Sequence, residues 1–65
     1  MEQPHEVTVQ IGDTVYTGSY RIEGGIVKVV ADDYGSEEAA RIDGDDPHDL
    51  AQMLLREMIR RKEDL

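Results

Sequence analysis

The first half of the chain contains three short segments in which apolar and polar residues alternate. Residues 7–11, 14–23 and 26–32 follow this pattern with a period of two, which is typical of half-buried β-strands. The links at 12–13 and 24–25 begin with glycine, and such two-residue links favour tight hairpin turns. The pattern therefore predicts an antiparallel meander of at least three strands.

The two predicted hairpins can be compared, because each turn fixes a register between its strands. Val9 then lies opposite Tyr16, and Tyr20 lies opposite Val29. Both registers place the same apolar residues on one face, and a slip of one residue would break this agreement. The predicted core face consists of Val7, Val9, Tyr16, Tyr20, Ile22, Val27 and Val29. Gly18 lies on this face, where its missing side chain would let a helix approach closely.

The segment 37–42 supports two interpretations. Its acidic residues and alanines follow a serine, and this combination is typical of the start of a helix. Alternatively, a turn at 34–35 leads into a fourth strand in which Ala40 lies opposite Val29 on the core face. We favour the strand, because it continues the meander in phase and because its charges would discourage further pairing at an edge.

The C-terminal part of the chain predicts one helix over residues 47–62. Asp46 is a favourable N-cap, and Pro47 takes the first helical position, where no N–H is needed. An apolar stripe follows at helical spacing, with Ile59 at its margin and Met53 outside it. The stripe consists of Leu50, Ala51, Leu54, Leu55 and Met58.

Together these elements predict a single small α+β domain over residues 1–65. Its expected architecture is a three- or four-stranded antiparallel β-meander with one C-terminal α-helix packed on one face. A chain this short buries only about 60% of the surface that its unfolded form exposes, so the core is thin. Since the chain has no Cys, disulfides cannot supply the missing stability, and a second copy is one alternative source.

The hairpin and the helix also carry a resemblance. The relevant motifs are Tyr16-x-Gly18-x-Tyr20-x-Ile22-x-Gly24-Gly25-x-Val27-x-Val29 and Leu54-Leu55-Arg56-Glu57. The chain resembles a group of small uncharacterised bacterial proteins with a glycine-turned hairpin and a Leu-Leu-Arg-Glu helix. The similarity covers about residues 16–58. It implies the architecture just described and no activity, and the acidic pair at 37–38 departs from the pattern.

Charge and composition narrow the classes of function. The net charge of −8 argues against a general nucleic-acid binder, which needs a broad cationic surface. The N-terminal segment has neither a basic region nor an apolar run, so we expect no signal peptide and no membrane span. The expected compartment is the cytoplasm.

An acidic segment at 43–49 raises the possibility of a metal site. A calcium loop of the EF-hand type requires Gly at its sixth position and Glu at its twelfth. Counted from Asp43, these positions hold His48 and Leu54, so the motif is absent from the sequence. Helix capping accounts for Asp46. We therefore expect no metal and no cofactor.

Catalytic motifs are scarce in this sequence. The two histidines are His5, in a terminus expected to fray, and His48, in the first helical turn. The glycines at 24–25 do not lead into a helix, whereas a phosphate-binding loop uses the N-terminus of one. We therefore expect no enzymatic activity.

A row of cations is the sharpest candidate site. Arg21 lies opposite Lys28 on the face away from the helix, and the favoured register of the fourth strand puts Arg41 opposite Lys28 as well. Like charges opposite one another are destabilising. Either diagonal pairing with Glu23 and Asp43 in the next row compensates them, which we favour, or the row binds a small anion or an acidic partner.

Exposed edges and apolar residues provide a different hypothesis. The first strand carries few charges and lies at an edge, and edge strands invite pairing with another chain. Met53 and Ile59 are expected to be exposed beside the helix stripe. The sequence therefore favours a small non-catalytic interaction or accessory module, in the form of a weak homodimer or bound to an unknown protein partner.

Overall fold

The computed structural model describes residues 4–64 and contains one antiparallel sheet and one helix. The strands follow the chain in the order β1-β2-β3-β4, and the helix α1 packs on one face of the sheet. The elements are β1 (His5–Ile11), β2 (Thr14–Glu23), β3 (Ile26–Ala31), β4 (Glu37–Arg41) and α1 (Pro47–Glu63). The predicted α+β fold is confirmed, with four strands rather than three.

The two hairpins have the registers that the sequence predicts. Val9 pairs with Tyr16 in the first hairpin, and Tyr20 pairs with Val29 in the second. Gly24 and Gly25 have φ angles of 54° and 77°, which suit a type I′ turn that needs positive φ at both central residues. The turn chemistry and the apolar alternation therefore act together to fix the register.

The segment after β3 forms a strand, but in a register different from the predicted one. Ala40 pairs with Val27 and not with Val29, a shift of two residues. The predicted turn has two residues, whereas the actual connection runs over residues 32–35 and closes with a bond from the Ala31 N–H to the Ser36 carbonyl oxygen, at 3.0 Å. A shift of two keeps each side chain on its predicted face, because the side-chain period of a strand is two.

The helix begins and ends at recognisable caps. The Asp46 side chain accepts a hydrogen bond from the backbone N–H of His48 at 3.4 Å, and Pro47 is the first helical residue. At the other end, Asp64 adopts a left-handed conformation with φ of 57°, and its N–H bonds to the carbonyl oxygen of Arg60. The predicted N-cap is therefore correct, and the helix runs one residue further than expected.

The buried stripe of the helix is rotated from the predicted one. Ile59, expected at the margin and exposed, is only 1% exposed. Leu54, expected in the stripe, is half-buried, and Met53 is 51% exposed as predicted. Ala51, Leu55 and Ile59 follow one another at a spacing of four, and all three are fully buried between the helix and the sheet.

Gly18 lies beneath Leu55 of the helix. A Cβ atom placed on it would sit 2.5 Å from the carbonyl oxygen of Val30 and 3.2 Å from Cδ1 of Leu55. The second contact is the helix approach that the sequence predicts, whereas the first is with the backbone of β3. Only glycine fits this position without a shift of the neighbouring backbone.

Candidate interaction surfaces

The sheet has one covered face and one open face. Alternation along the strands sends the core residues toward α1 and the intervening residues to the opposite side. We call this opposite side the open face. It consists of Glu6, Thr8, Gln10, Val15, Thr17, Ser19, Arg21, Glu23, Ile26, Lys28, Val30, Glu37, Ala39 and Arg41. The surface mixes charged, hydroxyl and aliphatic side chains, and Val15 is 60% exposed.

The predicted row of three cations does not form. Arg21 pairs with Lys28 across the second hairpin as predicted, but Ala39 takes the place next to Lys28 in β4. Arg41 pairs with Ile26 in the neighbouring row. The longer connection before β4 causes this change, because the two-residue shift moves Arg41 one row along the open face.

Glu23 holds the two remaining cations of the row. Its Oε1 lies 2.6 Å from Nε of Arg21, and its Oε2 lies 3.2 Å from Nζ of Lys28. The hydrogen bonds from Arg21 and then from Lys28 hold the pKa of Glu23 below its ordinary value. A terminal guanidinium nitrogen of Arg21 also lies 3.7 Å from Glu37. The diagonal pairing predicted for Glu23 is present, and two carboxylates compensate the two cations.

One edge of the sheet is capped by the helix. Along a hairpin with a two-residue turn, successive residues direct their backbone N–H and C=O groups alternately toward the paired strand and away from it. In β1, Glu6, Thr8 and Gln10 direct these groups away from β2. The Nε2 of Gln52 donates to the carbonyl oxygen of Thr8 at 3.0 Å, which occupies the centre of that edge. The β1 edge, which the sequence suggested for pairing, is therefore partly blocked.

The other edge, along β4, has a different environment. Ser36 accepts a bond from Ala31, and Ile42 donates to the carbonyl oxygen of Gly25 at 2.8 Å, so even-numbered residues of this segment face β3. Residues 37, 39 and 41 consequently direct their N–H and C=O groups outward. Across residues 4–64, no hydrogen bond from another part of the chain reaches these outward groups.

Both histidines meet at Tyr20. The His5 ring lies 5.1 Å from the Tyr20 ring between centroids, and the His48 ring lies 5.8 Å away with an edge-on orientation. The Tyr20 hydroxyl is 3.4 Å from Nδ1 of His48. His5 is the first residue of β1, so its expected fraying is wrong. The register of the first hairpin places His5 opposite Tyr20, whereas the position of His48 depends on how the helix crosses the sheet.

Acidic residues at the start of α1 stabilise the N-terminus of the helix. Asp46 caps the N-terminus, and Asp49 lies in the first turn, where a negative charge is favourable. Within the described range 4–64, no group of three or more His, Cys, Asp or Glu side chains is arranged to hold a metal ion.

Comparison of the chain with models of known protein families, with curated proteins and with solved structures finds no match. Among the residues that the structure describes, none forms a helix long and apolar enough to span a membrane.

Proposed function

We propose that this protein is a small non-catalytic interaction or accessory module of the cytoplasm, with weak self-association as its simplest form. The observation that carries the proposal is the one-sided arrangement of the sheet. The helix α1 supplies the core on one face, while the open face and the β4 edge remain exposed in residues 4–64. Exposed sheet surfaces and edges are common sites for binding another chain.

The reactive side chains have structural contacts that support a non-catalytic role. His5 and His48 pack around Tyr20, and Asp46 caps the helix. Glu23 is engaged by two cations on an exposed surface. The pKa of a catalytic acid or base is normally shifted by burial and by a specific partner in a cleft. The side chains named above instead pack against a ring, cap a helix or form ion pairs on an exposed surface.

Binding of a small anion or an acidic partner by Arg21 and Lys28, with Arg41 one row away, is the alternative hypothesis. The opposition of Arg21 and Lys28 favours it, because it places two cations side by side. Glu23 weighs against it, because an anion would have to displace a carboxylate that already binds both. We therefore rank this hypothesis below the interaction module.

The test is a concentration series by sedimentation equilibrium and light scattering, extended to millimolar protein. We expect the mass to rise from that of one 7.3 kDa chain toward twice that value. Dilution followed by ¹H–¹⁵N NMR should move amide signals of the strands more than those of the outer helix surface. A single-chain mass at every concentration would overturn self-association.

A matched variant separates the sheet from the helix. Two large apolar side chains of the described residues are exposed, Val15 on the open face and Met53 on the helix. Met53→Gln removes the one on the helix and leaves the sheet unchanged. We expect this variant to associate like the wild type. Loss of association in Met53→Gln would assign the interaction to the helix and contradict the proposal.

A further inference from the structure

We infer that a second copy of this chain pairs with β4, antiparallel and edge to edge, about a two-fold axis at Ala39. This inference rests on the proposed self-association and names its interface. In a pairing of two β4 strands, the outward backbone groups of residues 37, 39 and 41 bond to the same set on the partner. The result is a continuous eight-stranded sheet with both helices on one face.

The charges of β4 are complementary to themselves in this register. A two-fold axis at Ala39 places Glu37 opposite the partner's Arg41, and Arg41 opposite the partner's Glu37. Both side chains project from the open face, where they are exposed. Opposite charges that face each other across antiparallel strands are stabilising. The Arg21 guanidinium of β2 lies 3.7 Å from Glu37 and reaches that carboxylate from the side away from the interface.

Neighbouring registers are less favourable. A slip in one direction puts Glu38 opposite the partner's Glu38, and directly opposed like charges are destabilising. A slip in the other direction puts Arg41 opposite the partner's Ala39 and removes both ion pairs. The Ala39 register is therefore the one that satisfies the backbone and the charges together.

The covered face also accommodates this pairing. On that side Glu38 lies opposite the partner's Ala40, whose side chain is a single methyl group. Glu38 itself is held by Arg61 from the end of α1. The small residue leaves room for this ion pair beside the interface.

The β1 edge offers no comparable arrangement. The helix residue Gln52 already bonds to the carbonyl oxygen of Thr8, which would be the centre of a symmetric pairing. Such a pairing would also place Glu6 opposite the partner's Gln10, without an opposite charge. Self-pairing is therefore assigned to β4.

Charge reversal tests the register. Glu37→Arg alone puts arginine opposite arginine at both ends of the interface, and Arg41→Glu alone puts glutamate opposite glutamate. We expect each variant to weaken its homodimer roughly tenfold or more. An equimolar mixture of the two pairs every Arg with a Glu, so the heterodimer should regain wild-type affinity, as measured by NMR with one variant labelled.

Two controls of equal charge accompany the reversal. Glu57→Arg and Arg56→Glu make the same changes in net charge on exposed helix positions. Both should associate like the wild type. A wild type that stays monomeric would overturn the proposed function itself. A wild-type dimer that both reversals leave intact, or a mixture that fails to associate, would overturn only the β4 interface.

Proline substitutions test the backbone independently of charge. Ala39→Pro removes an outward N–H, so we expect a folded monomer by circular dichroism and sedimentation. Ala40→Pro removes an N–H that faces β3 and should lower the stability of the single chain. A homodimer of Ala39→Pro with wild-type affinity would contradict the interface.

Discussion

Gly18 shows how a single residue can set the distance between two layers. Its Cα lies beside the β3 backbone and beneath Leu55, and a methyl group there would meet both. We expect Gly18→Ala to destabilise the fold by about 2 kcal/mol, because an overpacked core must shift its backbone. Urea denaturation followed by circular dichroism measures the change. The neighbouring Ser19→Ala, on the open face, should stay close to the wild type, and equal stability of Gly18→Ala and wild type would contradict this account.

Glu23, also at the scale of the residue, determines whether Arg21 and Lys28 are free to bind an anion. Glu23→Gln removes the carboxylate that binds Arg21 and Lys28. In a phosphate titration followed by NMR, we expect small, non-saturating amide shifts at these two residues in the wild type and larger, saturating shifts in the variant. Saturating shifts in the wild type would instead support the anion-binding hypothesis and displace the interaction module as the preferred function.

At the scale of elements, the orientation of α1 determines which of its residues form the core. Ile59 is 1% exposed and Leu54 is half-buried. We expect Ile59→Ala to lower the free energy of unfolding by about 3 kcal/mol, since it leaves a cavity in the core. Leu54→Ala should cost less, about 1–2 kcal/mol, because Leu54 is only partly buried. Thermal and urea denaturation measure both costs. A larger cost for Leu54→Ala than for Ile59→Ala would contradict this orientation of the helix and support the stripe predicted from the sequence.

The connection between β3 and β4 is joined to the end of the helix by Tyr34. Its hydroxyl donates to Glu63, and this bond raises the pKa of Tyr34 to about 12. The bond needs the protonated phenol, so its stabilising effect is complete below the ordinary pKa of about 10 and is lost as the pH rises through about 12.

We expect Glu63→Gln to lower this pKa, because the glutamine lacks the negative charge that opposes ionisation of the phenol. Ultraviolet titration of the wild type, with Tyr34→Phe subtracted, isolates the signal of Tyr34. A Tyr34 pKa that is the same with and without the Glu63 carboxylate would show that the bond does not form in solution.

The elements also show why the sequence predicts some features and misses others. The first two hairpins are predictable, because glycine turns and apolar alternation impose the same registers. The start of β4 is not, because residues 32–36 contain no turn signal that distinguishes a two-residue loop from a four-residue one. This ambiguity moved Arg41 by one row and removed it from the candidate site. The meeting of His48 with Tyr20 and of Gln52 with Thr8 depends on the crossing of the helix, which periodicity alone does not specify.

For the whole molecule, the net charge of −8 acts against association. The described part of the chain measures 33 × 24 × 16 Å. At about 0.01 M salt the screening length is about 30 Å, so nearly all charges of the two copies interact and the two net negative charges repel each other. At about 0.15 M it falls to about 8 Å, and the charges that still interact are those at the interface, where Glu37 and the partner's Arg41 attract.

This competition predicts a salt dependence with a maximum. From low salt to about 0.15 M the proposed dimer should strengthen, because the long-range repulsion is screened first. Toward about 1 M, where the screening length is about 3 Å, it should weaken again as the interfacial ion pairs are screened. Sedimentation equilibrium across a sodium chloride series measures this profile. The double variant Glu37→Gln with Arg41→Gln lacks the ion pairs and should lose the decline at high salt. If the wild type strengthens steadily up to about 1 M salt, or if the double variant shows the same decline as the wild type, the ion pairs do not hold the copies together, and the assignment of these two residues to the interface is wrong.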